Sequence, residues 1–161
     1  MLHKNQKSKA SAGFTIIEVL IVLAIAGLIL LIVFLAVPAL QRNSRNTAIK
    51  NDVQNVVGGV SEYSGANNGA LPTGIVSDDT GTVTYSGATG TNSTTIKVQP
   101  GTDVAVSPGA PSASSLQPGQ VRVVLKSKCD GNTAVKSNSR AVAAFYLIET
   151  TGDPALQCTE S

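Results

Sequence analysis

The sequence predicts an α+β fold, in which a long amino-terminal helix packs through its second half on a small antiparallel β-sheet. Three observations support this prediction. The run from Val19 to Leu40 contains no charged or polar side chain. Apolar residues at helical spacing follow that run. Beyond them, short runs rich in Val, Thr, Ile and Tyr are separated by Gly, Pro, Asn and Ser, which is the pattern of short strands joined by turns.

The apolar run is long enough to cross a membrane. As an α-helix rising about 1.5 Å per residue it extends roughly 33 Å, which matches a hydrocarbon core of about 30 Å. Glu18 stands just before the run, and a carboxylate at that depth costs about 2.5 to 3.5 kcal/mol unless it reaches the interface or a cation. The nearest cations in the sequence lie in the short polar segment before Gly13, and they are Lys4, Lys7 and Lys9.

A helical period continues after Leu40 and defines two faces. One face carries the apolar residues Ile49, Val53, Val56, Val57, Val60 and Tyr63, as in an amphipathic helix packed on a globular domain. The opposite face carries Lys50, Asn51, Asp52, Asn55 and Ser61. We therefore predict one helix from about Thr15 to Ser64.

Proline and glycine perturb this predicted helix. Pro38 cannot donate to the carbonyl of Phe34, and it should kink the axis or melt a short stretch. The pair Gly58 and Gly59 weakens the helix by about 1 kcal/mol per residue relative to alanine and can mark an early end. Otherwise Gly65 opens the stop signal.

The rest of the chain predicts a loop followed by strands. The segment from Asn67 to Gly74 has the composition of a loop. The strand candidates are Thr82 to Ser86, Thr94 to Gln99, Val121 to Ser127 and Ala141 to Glu149. The proline-rich stretch from Pro100 to Gly119 predicts an exposed loop with little regular structure.

The residues from Gly13 to Val19, GFTIIEV, carry a resemblance to a known family. The pattern resembles the precursors of type IV pilins and of the related pseudopilins of type II secretion. Those precursors have a short basic leader ending in glycine, then FTLIE or a close variant, then an apolar helix. Here Ile16 replaces the commoner leucine. The resemblance covers about the first 45 of 161 residues, and beyond them it is one of layout.

The resemblance implies a division of the chain and a role for particular residues. Residues 1–13 would be a cleaved leader, residues 14–40 a transmembrane and filament-core helix, and residues 41–161 a globular pilin head. Prepilin peptidase would cut between Gly13 and Phe14, and Phe14 would be N-methylated. Glu18 would pair with the freed amine of a neighbouring subunit's first residue.

The same resemblance implies a structural subunit of a type IV pilus that serves adhesion, motility or DNA uptake. Its partners would be further copies of itself, prepilin peptidase, the inner-membrane pilus assembly machinery and the membrane. The precursor would span the inner membrane once, and the mature chain would belong to an extracellular filament. A pseudopilin or a minor pilin would share these features.

Two alternatives remain for the amino terminus. A secretory signal peptide has an apolar core of only about 7 to 15 residues and is cut after that core, whereas the small residues Ser11, Ala12 and Gly13 precede this one. A single-span anchored surface protein would keep the whole segment and would never be cut at Gly13.

The charge balance depends on the leader. The full chain carries 12 basic and 10 acidic side chains, and loss of residues 1–13 removes three lysines, which leaves 9 against 10 and a net charge of −1. The leader lysines fit the cytoplasmic side of a membrane. The basic character of the precursor therefore gives no support to nucleic-acid binding, although a nucleic acid stays a possible partner.

The two cysteines, Cys129 and Cys158, both follow the predicted span. On the extracytoplasmic side they predict one disulfide worth on the order of 3 kcal/mol. Such a carboxy-terminal disulfide loop is common in the type IV pilins that the chain resembles. Two unpaired buried thiols are the alternative.

Residues for catalysis are scarce, so we predict no enzyme, no cofactor and no metal site. The sole histidine, His3, lies in the predicted leader, which leaves none for a proton shuttle or for the usual zinc ligands. Asp78 and Asp79 could contribute to a calcium site, but a solvated turn is the favoured interpretation. Other weak signals are a glycosylation sequon at Asn92, Ser93 and Thr94, and basic residues that could touch lipid, a subunit or DNA, namely Arg42, Arg45 and Lys50. For these basic residues, snorkelling and solvated side chains are the favoured interpretation.

Overall fold

The computed structural model of the chain describes residues 13–87, 92–137 and 140–161. The chain forms two compact units, Met1–Leu40 and Gln41–Ser161. A single helix, α1, covers Ile16–Ala66, which confirms the predicted helix to within a residue or two at each end. Pro38, Gly58 and Gly59 lie inside α1. The helix therefore does not end early at the two glycines, and that alternative is wrong.

The first unit exposes its apolar surface. Every residue from Gly13 to Leu40 is exposed in the single chain, including Phe14 at 87% and Leu35 at 75%. Helix α1 is long and apolar enough to cross a membrane by length and composition. This surface needs either lipid or other protein around it.

The second unit is built on a seven-stranded sheet and a separate hairpin. The strands are β1 Gly74–Ser77, β2 Thr82–Ser86, β3 Thr94–Lys97, β4 Asp103–Val106, β5 Gln120–Leu125, β6 Ser127–Asp130, β7 Thr133–Lys136, β8 Val142–Ile148 and β9 Ala155–Glu160. The sheet has the order β3-β2-β1-β4-β5-β8-β9, and β6 pairs with β7 as the hairpin. All pairs are antiparallel except β4 with β5.

The sheet is covered on both faces. The second half of α1 packs on one face, and all six residues predicted for its apolar side are buried in that core. The hairpin and Leu116 lie over the other face, where they cover Val124, Phe145 and Leu147. Strand β8 alternates between the two cores, so it is buried on both sides, as expected of an inner strand in a sheet covered on both faces.

All four predicted strands are present: β2 has the predicted bounds, and the other three have shifted ends. Several features correct the sequence-based expectations. The predicted strand from Val121 to Ser127 is interrupted at Lys126, which has a φ of 53° and separates β5 from β6. Strand β4 lies inside the stretch from Pro100 to Gly119, where we expected little regular structure, because pairing with β1 and β5 holds it. Strands β1, β6, β7 and β9 were not predicted.

Candidate functional site

The amino-terminal motif begins the helix with a reciprocal pair of side chains. The Thr15 backbone N–H and hydroxyl donate to Glu18 Oε2 at 3.1 and 2.9 Å, and the Glu18 N–H donates to Thr15 Oγ1 at 3.3 Å. This arrangement is a capping box, in which two backbone donors at the helix start are satisfied by side chains. We did not predict this capping box, although the spacing Thr15-Ile16-Ile17-Glu18 carries the signal.

The capping box leaves part of Glu18 unused. Both hydrogen bonds to its carboxylate end on Oε2, and no ion pair to Glu18 occurs among residues 13–87, 92–137 and 140–161. The predicted cleavage point lies directly upstream, where a Cβ built on Gly13 would meet nothing within 4 Å. The lysines of the leader lie outside the described residues. The geometry therefore offers an open backbone at Gly13 and a free carboxylate oxygen on Glu18.

Arg45 and Asn46 of α1 both bond to Glu149 of the head, and we call this contact the clamp. Arg45 donates to both carboxylate oxygens of Glu149 at 2.6 Å. Asn46 exchanges two hydrogen bonds with the Glu149 backbone, at 2.8 Å to its carbonyl and 2.7 Å from its N–H. The bonds from Arg45 lower the pKa of the Glu149 carboxyl group, and the same pair raises the pKa of Arg45. Arg45 is therefore engaged within its own chain, whereas the sequence favoured a solvated position for it.

Asp52 corrects the prediction of a solvent-facing position. Its side chain is buried, because Asp52 Oδ1 accepts from the Gln99 N–H at 3.2 Å and Oδ2 accepts from the Thr102 hydroxyl at 2.9 Å. The loop between β3 and β4 thus lies over the face of α1 that the helical period assigned to solvent. Asp52 ties this loop to the helix.

Gly59 marks a close approach between α1 and the sheet. A Cβ built on Gly59 would lie 2.6 Å from Cζ and Oη of Tyr85. The Tyr85 ring is fully buried, and its hydroxyl donates to the Val56 carbonyl at 2.8 Å. Burial and the nearby charge of Glu62 raise the pKa of Tyr85. The absence of a side chain at Gly59 lets the tyrosine reach the helix backbone.

The predicted disulfide is present between Cys129 and Cys158, with their Cα atoms 5.9 Å apart. It joins the hairpin strand β6 to the edge strand β9. The Cys129 N–H also donates to Glu160 Oε2 at 2.8 Å. The bridge therefore fastens the hairpin over the outer core of the sheet, where both cysteines pack.

The weaker site signals resolve differently. Asp78 caps the turn between β1 and β2, because its Oδ1 accepts from the N–H and hydroxyl of Thr80 and from the N–H of Thr82. Those bonds, led by the Thr80 hydroxyl, lower the pKa of Asp78. Within the described parts of the chain no three metal-ligating side chains cluster. Asn92 is exposed, and its backbone N–H and carbonyl are both held by the Asn67 side chain.

The comparisons with known proteins single out the amino-terminal segment. Residues 8–34 match the model of the prokaryotic N-terminal methylation motif. No curated protein and no solved structure matches the chain. The matched residues contain Gly13, Phe14 and the capping box and run into the apolar part of α1. The chain therefore carries the prokaryotic N-terminal methylation motif that is characteristic of type IV pilins and pseudopilins.

Proposed function

We propose that the chain is a structural subunit of a type IV pilus, cut by prepilin peptidase between Gly13 and Phe14, N-methylated on Phe14 and polymerised into a helical filament. The filament would serve adhesion, motility or DNA uptake. The observation that carries the proposal is the methylation motif at residues 8–34. This motif leads into the apolar part of α1, which is exposed as far as Leu40. The motif and the apolar helix support a membrane-anchored precursor and a structural protein.

Glu18 would serve two partners, one through each carboxylate oxygen. In the uncut chain Oε2 completes the capping box with Thr15. Cleavage after Gly13 would create an amine at Phe14, and the free Oε1 of Glu18 can accept from the amine of a neighbouring subunit without breaking the cap. A charge pair of this kind gains strength in an apolar, water-poor setting, where an unpaired carboxylate would be costly.

Packing and charge pairing, rather than hydrophobic transfer, would favour association of the apolar helices. Apolar side chains of α1 leave lipid for other apolar side chains, so hydrophobic transfer contributes little, and close packing with charge pairing must favour the contact. Contacts that run head to tail without closing into a ring propagate a filament. The head, fastened by the clamp at Glu149 and by the disulfide, would form the outer surface.

A type II secretion pseudopilin or a minor pilin is the second candidate, because the same motif is characteristic of both groups. An anchored surface protein would keep its leader. Intact mass and amino-terminal sequencing of the protein from its own cells separate these cases. We expect a chain that begins at Phe14 with one added methyl group and one disulfide. A chain that still begins at Met1, in cells with prepilin peptidase, would contradict the proposal.

Two substitutions at Glu18 test its role in assembly. Gln can occupy the same place in a capping box, so Glu18→Gln keeps the cap and removes the charge, whereas Glu18→Ala removes both. We expect both variants to insert in the membrane and both to be excluded from filaments when expressed beside the wild-type chain. Incorporation of Glu18→Gln at the wild-type level would mean that capping alone matters and would remove the charge-pair role.

A further inference from the structure

One end of the head carries cations that have no partners in their own chain. Lys126, Lys128, Lys136 and Arg140 are all exposed. In the described part of the chain, none of their side chains forms an ion pair or a hydrogen bond. The two ion pairs that occur there join Arg45 to Glu149 and Arg122 to Asp103. Four unpaired cations at one end repel each other unless an anionic partner meets them.

These cations are contiguous. Arg140 and Lys128 line one open groove of about 700 Å³ beside the end of α1, together with Ser61 and Ser64. Arg140 and Lys126 line a second groove beside Leu71 and Thr73. Lys126 and Lys136 line a third. We call this surface, defined by Lys126, Lys128, Lys136 and Arg140, the basic end.

The Arg140 side chain lies against the backbone at Gly69. A Cβ built on Gly69 would overlap the guanidinium group of Arg140, and Gly69 has a φ of 83°. Any other residue at position 69 would be strained in that conformation and would displace the guanidinium group. The backbone at Lys126 also holds a left-handed conformation, with a φ of 53°, which is uncommon for a residue with a long side chain.

A complementary acidic turn lies at the opposite end of strand β1. The second groove of the basic end includes Thr73, which directly precedes β1, and Asp78 and Asp79 directly follow it. The two sites are roughly 17 Å apart along the strand, at about 3.4 Å per residue. Asp78 holds the turn with three hydrogen bonds, and Asp79 is exposed.

We infer that the basic end around Arg140 binds the Asp78 and Asp79 turn of a second copy of this chain, in a head-to-tail contact between heads. The inference rests on the proposed filament function and names one of its contacts. Because the two sites lie at opposite ends of the same strand, the contact cannot be satisfied within one chain and repeats from copy to copy. Such an open contact between different surfaces extends a filament, and opposite charges fix its register.

A charge swap tests the contact in the full chain. Arg140→Glu or Asp79→Lys alone should lower incorporation into filaments by about tenfold or more, because each sets like charges against each other. The double variant should return incorporation to within about threefold of wild type, since a double cycle isolates the pairwise interaction. Asp153→Lys is the matched control, because it makes the same charge change at an exposed acid of the turn between β8 and β9, and it should leave incorporation unchanged.

The outcomes separate the inference from the function on which it rests. Wild-type chains that never polymerise would refute the proposed function itself. Wild-type filaments that tolerate both single swaps, or a double variant no better than the single ones, would overturn the contact alone. A third outcome would also overturn the contact: Arg140→Glu assembles normally, but it no longer retains the duplex DNA that the wild type binds in a salt-dependent manner. That outcome would assign the basic end to a nucleic acid.

Discussion

Adding one methyl group at Gly59 should destabilise the head, while the same change at its neighbour Gly58 should not. Gly59→Ala would place a Cβ 2.6 Å from the buried Tyr85 ring, whereas a Cβ at Gly58 meets nothing within 4 Å. Overpacking of this kind costs typically about 1 to 3 kcal/mol. If the ring moves, the hydroxyl also loses its bond to the Val56 carbonyl, and a buried unsatisfied donor costs about 1 to 3 kcal/mol.

Helix propensity acts in the opposite direction and sets the control. Alanine in a helix interior is favoured over glycine by about 1 kcal/mol. We therefore expect Gly59→Ala to lower the free energy of unfolding by about 2 kcal/mol and Gly58→Ala to raise it by up to about 1 kcal/mol. The two variants share composition, length and secondary structure, so the difference between them reports only the contact with Tyr85.

Chemical denaturation of the full chain in detergent, with the disulfide intact, measures both values. The chain has no Trp and only three Tyr, and two of them, Tyr63 and Tyr85, are fully buried, so near-ultraviolet tyrosine signals follow the unfolding of the head. A Gly59→Ala variant as stable as Gly58→Ala would refute the reasoning. In a Tyr85→Leu background the cost of Gly59→Ala should shrink, because the ring that opposes the new methyl group is gone.

Two further predictions concern the clamp and the disulfide. The bonds from Arg45 lower the pKa of Glu149. The contribution of Glu149 to the free energy of unfolding is therefore complete above the unfolded pKa of about 4.3, and it is lost as the pH falls through the folded value. The stability of Glu149→Gln should fall less steeply in that acidic range, and a pH profile identical to that of the wild type would contradict the pairing. Replacing Cys129 and Cys158 by serine opens a loop with a sequence separation of 29, so the free energy of unfolding should fall by about 3 to 4 kcal/mol, and reductant should affect the wild type but not the variant. A loss below about 1 kcal/mol would mean that β8 and the outer core hold β9 without the bridge.

The elements that were predictable from the sequence are those fixed by local pattern. The apolar side of α1 was correct residue by residue, because the period of the side chains alone decides which of them share a face. Strand β2 was also correct, since Thr, Val and Tyr alternate there between turns. The disulfide followed from the count of cysteines and their place after the span.

The elements that were missed depend on distant partners. Asp52 is polar and sits opposite the apolar side of α1, and it is buried only because the chain near Thr102 returns to it. The clamp joins Arg45 to Glu149 across a separation of 104 residues, which no local pattern reports. Strand β4 is a short segment among prolines, and its partners β1 and β5 make it a strand.

Strand β8 has a consequence for how the head matures. It is buried on both faces, pairs with β5 and β9, and is followed by Glu149, which closes the clamp on α1. Strand β8, Glu149 and strand β9 belong to the final part of the sequence. A chain that has emerged only as far as β7 therefore lacks the last two strands of its sheet, the strand that the disulfide needs and the acceptor for Arg45. Loss of the last few dozen residues would not give a smaller head but an open one, exposed to proteolysis.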